Sequence, residues 1–172
     1  MSALMHEASI VMFTQLLGGL DTILDKAAAH CEARKIDASA LTSARLFPDM
    51  LPFTKQVQLS CDFAVRAVYR LTGQEPPRFA DEEKTFPELK ERIAKALATI
   101  SAINTEAFTG SETRNVTFPM GPAGNQTMSG SSYLFTFAIP NFTFHVTMAY
   151  AVLRENGVEL GKRDFMGAMA RG

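Results

Sequence analysis

A long stretch without charged residues constrains this chain most. No Asp, Glu, Lys or Arg occurs in the 39 residues from position 115 to position 153. Its second half, residues 133–153, is long enough to cross a membrane, because about 20 apolar residues span the hydrocarbon layer. That half also contains threonine, asparagine and histidine side chains, which would each need an internal partner in lipid. We therefore predict a buried helix of a soluble domain and no membrane span.

On a helical wheel, this stretch places one histidine in an apolar environment. At 100° per residue, one arc contains only apolar side chains and the histidine. The apolar members of this arc are Ala138, Phe142, Val146, Ala149, Val152 and Leu153. His145 lies inside the arc, and Asn141 lies one turn earlier at its edge. Pro140 either kinks a helix that runs through it or is the first residue of a helix. The pattern predicts a buried imidazole.

Size and charge exclude several classes of protein. A chain of 172 residues fits one domain, residues 1–172. The net charge of −1 and the absence of a basic run give no surface suited to nucleic acid. Cys31 and Cys61 lie in helical patterns, which predicts buried free thiols, with a disulfide or reactive pair as the alternative. No secretory signal is evident, so we expect a cytoplasmic location.

Apolar residues at helical spacing predict three further helices. Residues 3–33 carry a continuous stripe that begins at His6, and Pro48-Asp49 is expected to open the second helix. The stripe of the first helix is His6, Ile10, Phe13, Leu17, Leu20, Leu24, Ala27 and Cys31. The inner face of the second helix is Phe53, Val57, Ser60, Ala64, Val68 and Leu71. Asp62 and Arg66 are expected to form a surface pair outside that face.

The remaining segments complete an architecture dominated by helices. Residues 72–84 are too long for a tight turn, so we predict a crossover along the molecule. A capping box from Thr85 to Glu88 then starts the third helix. The alternating residues 114–118 and the residues 126–128 predict a short β-hairpin before the fourth helix. The assembly predicted from these elements is an all-α four-helix bundle with one small hairpin.

Three stretches together resemble a known bacterial family. They are Arg-Leu-Phe-Pro-Asp-Met-Leu-Pro at 45–52 followed by Gln56, Pro-Asn-Phe-Thr-Phe-His at 140–145, and Gly-Val-Glu-Leu-Gly-Lys-Arg-Asp-Phe at 157–165. Over its whole length the chain resembles the domain-of-unknown-function family numbered nineteen ninety-three. That family is placed in the DinB/YfiT-like superfamily, which is associated with metalloenzymes. The resemblance implies an up-down-down-up bundle, a crossover between helices two and three, and often a homodimer.

The same resemblance implies a metal site that this sequence does not complete. Superfamily members with a metal typically take one histidine from helix two and a His-x-x-x-His pair from helix four, and some transfer a low-molecular-weight thiol. His145 matches one member of the pair, but Ala149 stands four residues later and Asn141 four residues earlier. Helix two contains no histidine. We expect no cofactor; the alternative is a divalent metal such as zinc or nickel, with His145 as a ligand.

Helix lengths suggest which side chains meet His145. At 1.5 Å per residue, Gln56 is expected near the height of His145, with Ser60 facing the same interior. His6 and His30 are expected too far away to join His145 in a three-histidine site. The candidate ligand-binding cavity therefore consists of His145, Asn141, Gln56 and Ser60. Alternatively, a neutral His145 bonded to Asn141, Gln56 or a buried water only fixes the helix register.

Two functional hypotheses follow. The first is a DinB-like bundle without an intact metal site that binds a small molecule or interacts with a partner. A second copy of the chain is the expected partner. The second is a superfamily enzyme, a metal- or thiol-dependent transferase or isomerase, that uses His145. The sequence does not identify a catalytic residue or a substrate.

Overall fold

Helix α1 forms the first long element of the computed structural model, which describes residues 2–169. It consists of α-helical Ser2–His6, a π-helical segment Glu7–Val11 and α-helical Met12–Arg34. From Ile10 to Cys31 the predicted stripe is buried, as expected from its spacing. The π-helical segment was not predicted. Among the described residues, one helix, Ala3–Arg34, is long and apolar enough to cross a membrane, and 44% of its most apolar window is buried.

The second long helix begins later than the sequence predicted. After the short helix α2, Ala38–Thr42, the chain turns through residues 43–52 before helix α3, Phe53–Leu71. The prediction of a start at Pro48-Asp49 was wrong, because Pro52 is the N-cap residue in extended conformation. A proline disfavours helical backbone in the residue before it, so the helix cannot extend back through Leu51. The predicted inner face of α3 is buried.

The segment that was predicted as a crossover, called the crossover below, connects α3 to the third long helix. Residues 72–85 contain no helix or strand. Helix α4, Phe86–Ser101, then begins with the predicted capping box, in which Thr85 and Glu88 bond each other's backbone amides. A 3₁₀ turn, Thr105–Phe108, follows α4.

The uncharged stretch forms a hairpin and the last long helix. Strands β1, Asn115–Pro119, and β2, Asn125–Ser129, pair antiparallel. Helix α5 follows as α-helical Gly130–Tyr133, π-helical Leu134–Ala138 and α-helical Ile139–Glu155. The helix therefore runs through Pro140. A proline ring crowds the carbonyl four residues earlier, and the wider π turn lies where that crowding occurs.

A glycine in α1 permits close packing of the C-terminal segment. Helix α6, Lys162–Met166, is short. A Cβ atom at Gly19 would lie 2.9 Å from the carbonyl oxygens of Asp164 and Phe165, so only glycine fits without a shift. A Cβ atom at the neighbouring Gly18 would have no heavy atom within 4 Å.

The described structure is mostly helical with one small antiparallel sheet. Buried apolar side chains of all four long helices and of β1 form one cluster. Helix α3 packs against both α5 and α4, and α1 packs against α4 and α5. Because α3 is covered from several sides, it buries polar residues as well as apolar ones. They are Gln56, Gln58, Ser60 and Asp62.

Candidate functional site

The imidazole of His145 is hydrogen-bonded to the amide of Gln56. His145 lies on α5 and Gln56 on the first turn of α3, and the distance from Nδ1 to Oε1 is 2.8 Å. The predicted proximity of the two side chains is therefore confirmed. The Gln56 Nε2 group donates to the Leu51 carbonyl at 3.1 Å, which leaves Oε1 as the acceptor for the ring. His145 Nδ1 thus carries the proton, and Nε2 carries the lone pair.

Phenyl rings enclose the imidazole. The Phe63 ring is stacked on it with centroids 5.4 Å apart, and Phe144 meets it edge-on at 5.3 Å. His145 is 9% exposed. No hydrogen bond within residues 2–169 uses Nε2 of the ring. This nitrogen therefore has no protein partner in the described structure and can bond to a ligand or to water.

The other two predicted site residues bond to backbone carbonyls. Ser60 Oγ donates to the Gln56 carbonyl at 2.8 Å, and Asn141 Nδ2 donates to the Phe137 carbonyl at 2.7 Å. Ser60 is fully buried, and both bonds join residues of the same helix. Among the four predicted side chains, direct hydrogen bonding joins only His145 and Gln56 in the described structure.

Burial keeps the imidazole neutral. Removal of the ring from water lowers the pKa of His145 to about 4, and no neighbouring charge opposes this effect. At neutral pH the ring therefore donates through Nδ1 and accepts through Nε2. A base of such low pKa abstracts protons weakly near pH 7, so the geometry suits a hydrogen-bond acceptor better than a general base.

The donor set does not fit the metal that the superfamily implies. His6 lies edge-on against Phe108 at 5.5 Å, and His30 lies near Gly157. Neither lies beside His145. Within residues 2–169, no group of three or more His, Cys, Asp or Glu side chains could hold a metal ion. One imidazole next to an amide and phenyl rings is a poor set of ligands for zinc or nickel.

A buried arginine forms a polar cluster that the sequence did not predict. Arg92 of α4 is 3% exposed and donates to Asp62 at 2.6 Å, to Glu83 at 3.0 Å and to Asp81 at 3.2 Å. It also donates to the Ala80 carbonyl at 2.7 Å. These bonds tie the crossover to α3 and α4.

This cluster corrects the prediction for Asp62. The expected pair with Arg66 is present at 2.6 Å, but Asp62 is only 7% exposed and is not a surface residue. The crossover covers this side of α3, which a wheel drawn for α3 alone does not reveal. A weak signal was available, because Arg92 borders the apolar arc of α4 that contains Leu89 and Ala96. A charged residue at the margin of such an arc requires partners if another segment covers it.

The two cysteines are free and buried, as predicted. Burial raises the pKa of both thiols, so neither is held as a thiolate nucleophile. The cysteines therefore add no chemistry to the site around His145.

Comparisons with known proteins agree with this fold. The family model described as Domain of unknown function (DUF1993) matches residues 5–166. The crystal structure of a DinB family member protein from Shewanella denitrificans is similar, with 36% sequence identity and a TM-score of 0.92. That match covers 99% of this chain and 96% of the other. Comparison with curated proteins gives no match. The chain therefore belongs to the DUF1993 family, as the three sequence stretches indicated, and has a DinB-like structural relative.

Proposed function

We propose that this protein is a DinB-like four-helix bundle that works without a resident metal and binds a small molecule through His145. The proposal rests on the state of that ring, which is neutral, is bonded to Gln56 at 2.8 Å and has no hydrogen-bond partner at Nε2 within residues 2–169. Its neighbours supply phenyl rings and no second metal ligand. The same position therefore suits an organic ligand better than a cation.

Contact pairs support an up-down-down-up arrangement of the four helices. Helices α3 and α5 are antiparallel, because residue 56 contacts 145 and residue 70 contacts 133. Helices α3 and α4 run in the same direction, because residue 53 contacts 86 and residue 62 contacts 92. Helices α1 and α5 also share a direction, with residue 13 next to 142 and residue 30 near 157. The crossover over residues 72–85 is the connection that parallel neighbours require.

The environment of His145 defines the kind of ligand. Its Nε2 atom accepts a hydrogen bond, so the ligand provides an N–H or O–H donor. The partly exposed rings of Phe63 and Phe144 provide apolar contact beside that donor. A small, largely apolar or aromatic molecule with one hydrogen-bond donor meets both requirements.

Elemental analysis tests the absence of a metal. The protein is purified without a histidine tag, and zinc, nickel and iron are measured per chain, with His145→Ala as the matched variant. We expect far less than one equivalent of each metal in both proteins. Near-stoichiometric metal that disappears in His145→Ala would overturn the proposal.

The second candidate is a superfamily enzyme, a metal- or thiol-dependent transferase or isomerase. The unpartnered Nε2 lone pair of His145 favours it, because a reacting group needs a free atom. The discriminating assay is turnover in the presence of a low-molecular-weight thiol by wild type and by His145→Gln. Thiol-dependent turnover that the variant lacks would favour the enzyme, whereas equal background rates in both favour the binding protein.

A homodimer is a further proposal. Leu4 and Val11 of α1 are exposed apolar side chains, at 60% and 36%, which supports an intermolecular contact along this helix. Light scattering across a concentration series tests it, and a monomer mass throughout would remove the dimer. A cytoplasmic location and a bacterial source stay predictions from the sequence.

A further inference from the structure

Three arginines converge on one cleft outside the proposed His145 site. The cleft, called here the basic cleft, lies between Arg66 and Arg70 of α3 and residues 75–79 of the crossover, and Pro119 closes it. Its volume is about 490 Å³. Arg66, Arg70 and Arg78 face a single acidic lining residue, Glu75. The chain as a whole has a net charge of −1, so this local excess of positive charge is not a general property of its surface.

Two of the three guanidinium groups are held in place. Arg66 Nη2 contacts Asp62 Oδ2 at 2.6 Å, and Arg70 Nη1 donates to the Tyr133 hydroxyl at 3.2 Å. A guanidinium has five N–H donors, so each retains donors for another partner. Arg78 is exposed, and no hydrogen bond or ion pair in residues 2–169 uses its side chain. The basic cleft therefore holds several unused cationic donors.

The walls of the basic cleft are preformed. Pro76, Pro77 and Pro119 have restricted backbones, and the Phe79 ring lies under Arg92 at 4.9 Å. Arg92 also holds the next residue of the crossover through the Ala80 carbonyl. A site whose walls are already ordered loses little conformational entropy when a ligand binds.

We propose that the basic cleft binds a small oxyanion with at least two negative charges, such as a phosphate monoester or a dicarboxylate. Guanidinium groups pair with both kinds of oxygen in bidentate geometry. Arg66 is already paired with Asp62, so Arg70 and Arg78 supply the positive charge that favours a dianion over a monoanion. Residues 81–83 (Asp-Glu-Glu) lie on the same crossover. These acids repel a long polyanion, so the cleft suits a small molecule and not a nucleic acid strand.

Isothermal titration calorimetry on the full chain tests this site with inorganic phosphate, pyrophosphate and malonate. We expect saturable binding of at least one of the three to wild type. Arg78→Gln, which removes no internal contact, weakens that binding about tenfold, the loss typical of one charge-assisted contact. Glu75→Gln removes the opposing carboxylate and tightens binding severalfold. Arg154→Gln is the matched control, because Arg154 lies roughly 30 Å from Tyr133 along α5 and leaves affinity unchanged.

The outcomes separate specific from diffuse binding. Preference for phosphate and pyrophosphate over malonate assigns a phosphorylated ligand, and the reverse preference assigns a dicarboxylate. Absence of binding by all three probes overturns the proposal, as does equal weakening by Arg78→Gln and Arg154→Gln. A short single-stranded oligonucleotide that binds more tightly than pyrophosphate also overturns it. None of these results depends on His145.

Discussion

Replacing His145 by glutamine is expected to remove a pH-dependent loss of stability. The variant retains a side-chain N–H group that can donate to Gln56 Oε1, but it cannot take up a proton. In wild type the burial of the ring lowers the pKa of His145 from 6.5 to about 4. The two proteins therefore differ in one titration while sharing most of their packing.

The direction of the change in stability follows from the pH at which each state binds the proton. The unfolded chain protonates His145 near pH 6.5, whereas the folded ring stays neutral until about pH 4. Between these values the unfolded state binds more protons, so the free energy of unfolding falls as the pH decreases from 6.5 to 4. At about 1.4 kcal/mol per pH unit, the ceiling is roughly 3 kcal/mol. One edge of the ring keeps contact with solvent, so we expect about 2 kcal/mol.

Urea unfolding at pH 7, 5.5 and 4.5 measures this effect. The unfolding free energy of wild type minus that of His145→Gln should decrease by about 2 kcal/mol from pH 7 to pH 4.5. Carboxylates with lowered pKa values also reduce stability in acid, but they occur in both proteins and cancel in the difference. They are Asp37, Asp81, Glu88 and Asp164.

A second histidine variant controls for loss of an imidazole elsewhere. His30→Gln leaves the pair of His145 and Gln56 intact. It is therefore expected to lose as much stability as wild type does between pH 7 and pH 4.5. Parallel pH profiles of wild type and His145→Gln across the same range would refute the reasoning. The ring would then titrate alike in the folded and unfolded states, and the conclusion that the imidazole is buried and neutral would be wrong.

Three other predictions concern stability measured by urea or thermal unfolding. Gly18→Ala stabilises the chain by about 1 kcal/mol, whereas Gly19→Ala destabilises it because its Cβ would meet the C-terminal backbone; two equal effects would contradict this packing. Arg92→Met lowers the unfolding free energy by about 3 kcal/mol, and adding Asp62→Asn recovers at least about 1 kcal/mol. Strictly additive effects of the two substitutions would exclude a buried pair. His145→Leu costs about 1–3 kcal/mol by leaving Gln56 Oε1 without its donor, and an unchanged midpoint would place the ring in solvent.

Sequence periodicity predicted the elements and much of the candidate site. The apolar arc around His145, the stripe of α1 and the hairpin follow from local patterns of 3.6 or 2 residues. Counting residues along two helices predicted Gln56 near the height of His145, although the count started the second helix near Asp49 and the helix begins at Phe53. The same reasoning could not identify the hydrogen-bond partner of Asn141. Asn141 bonds to the Phe137 carbonyl within its own helix and not to His145.

The burial of Asp62 and Arg92 was missed because one segment covers another. Asp62 and Arg92 are charged residues on helix faces that would be solvated if each helix stood alone. The crossover lies across both faces and supplies Asp81 and Glu83, which compensate the buried guanidinium. The basic cleft arises in the same way, since Arg66 and Arg78 are distant in sequence and share a cavity only after the crossover has packed.

Local chemistry in the sequence determined where helices form, which faces are apolar and that a single imidazole enters the interior, because hydrophobic spacing and turn residues act over a few positions. Tertiary structure decided the proton state of that imidazole, the burial of Arg92 and the meeting of three arginines. These properties depend on the dielectric surroundings and on charges brought from remote segments, which no local pattern encodes.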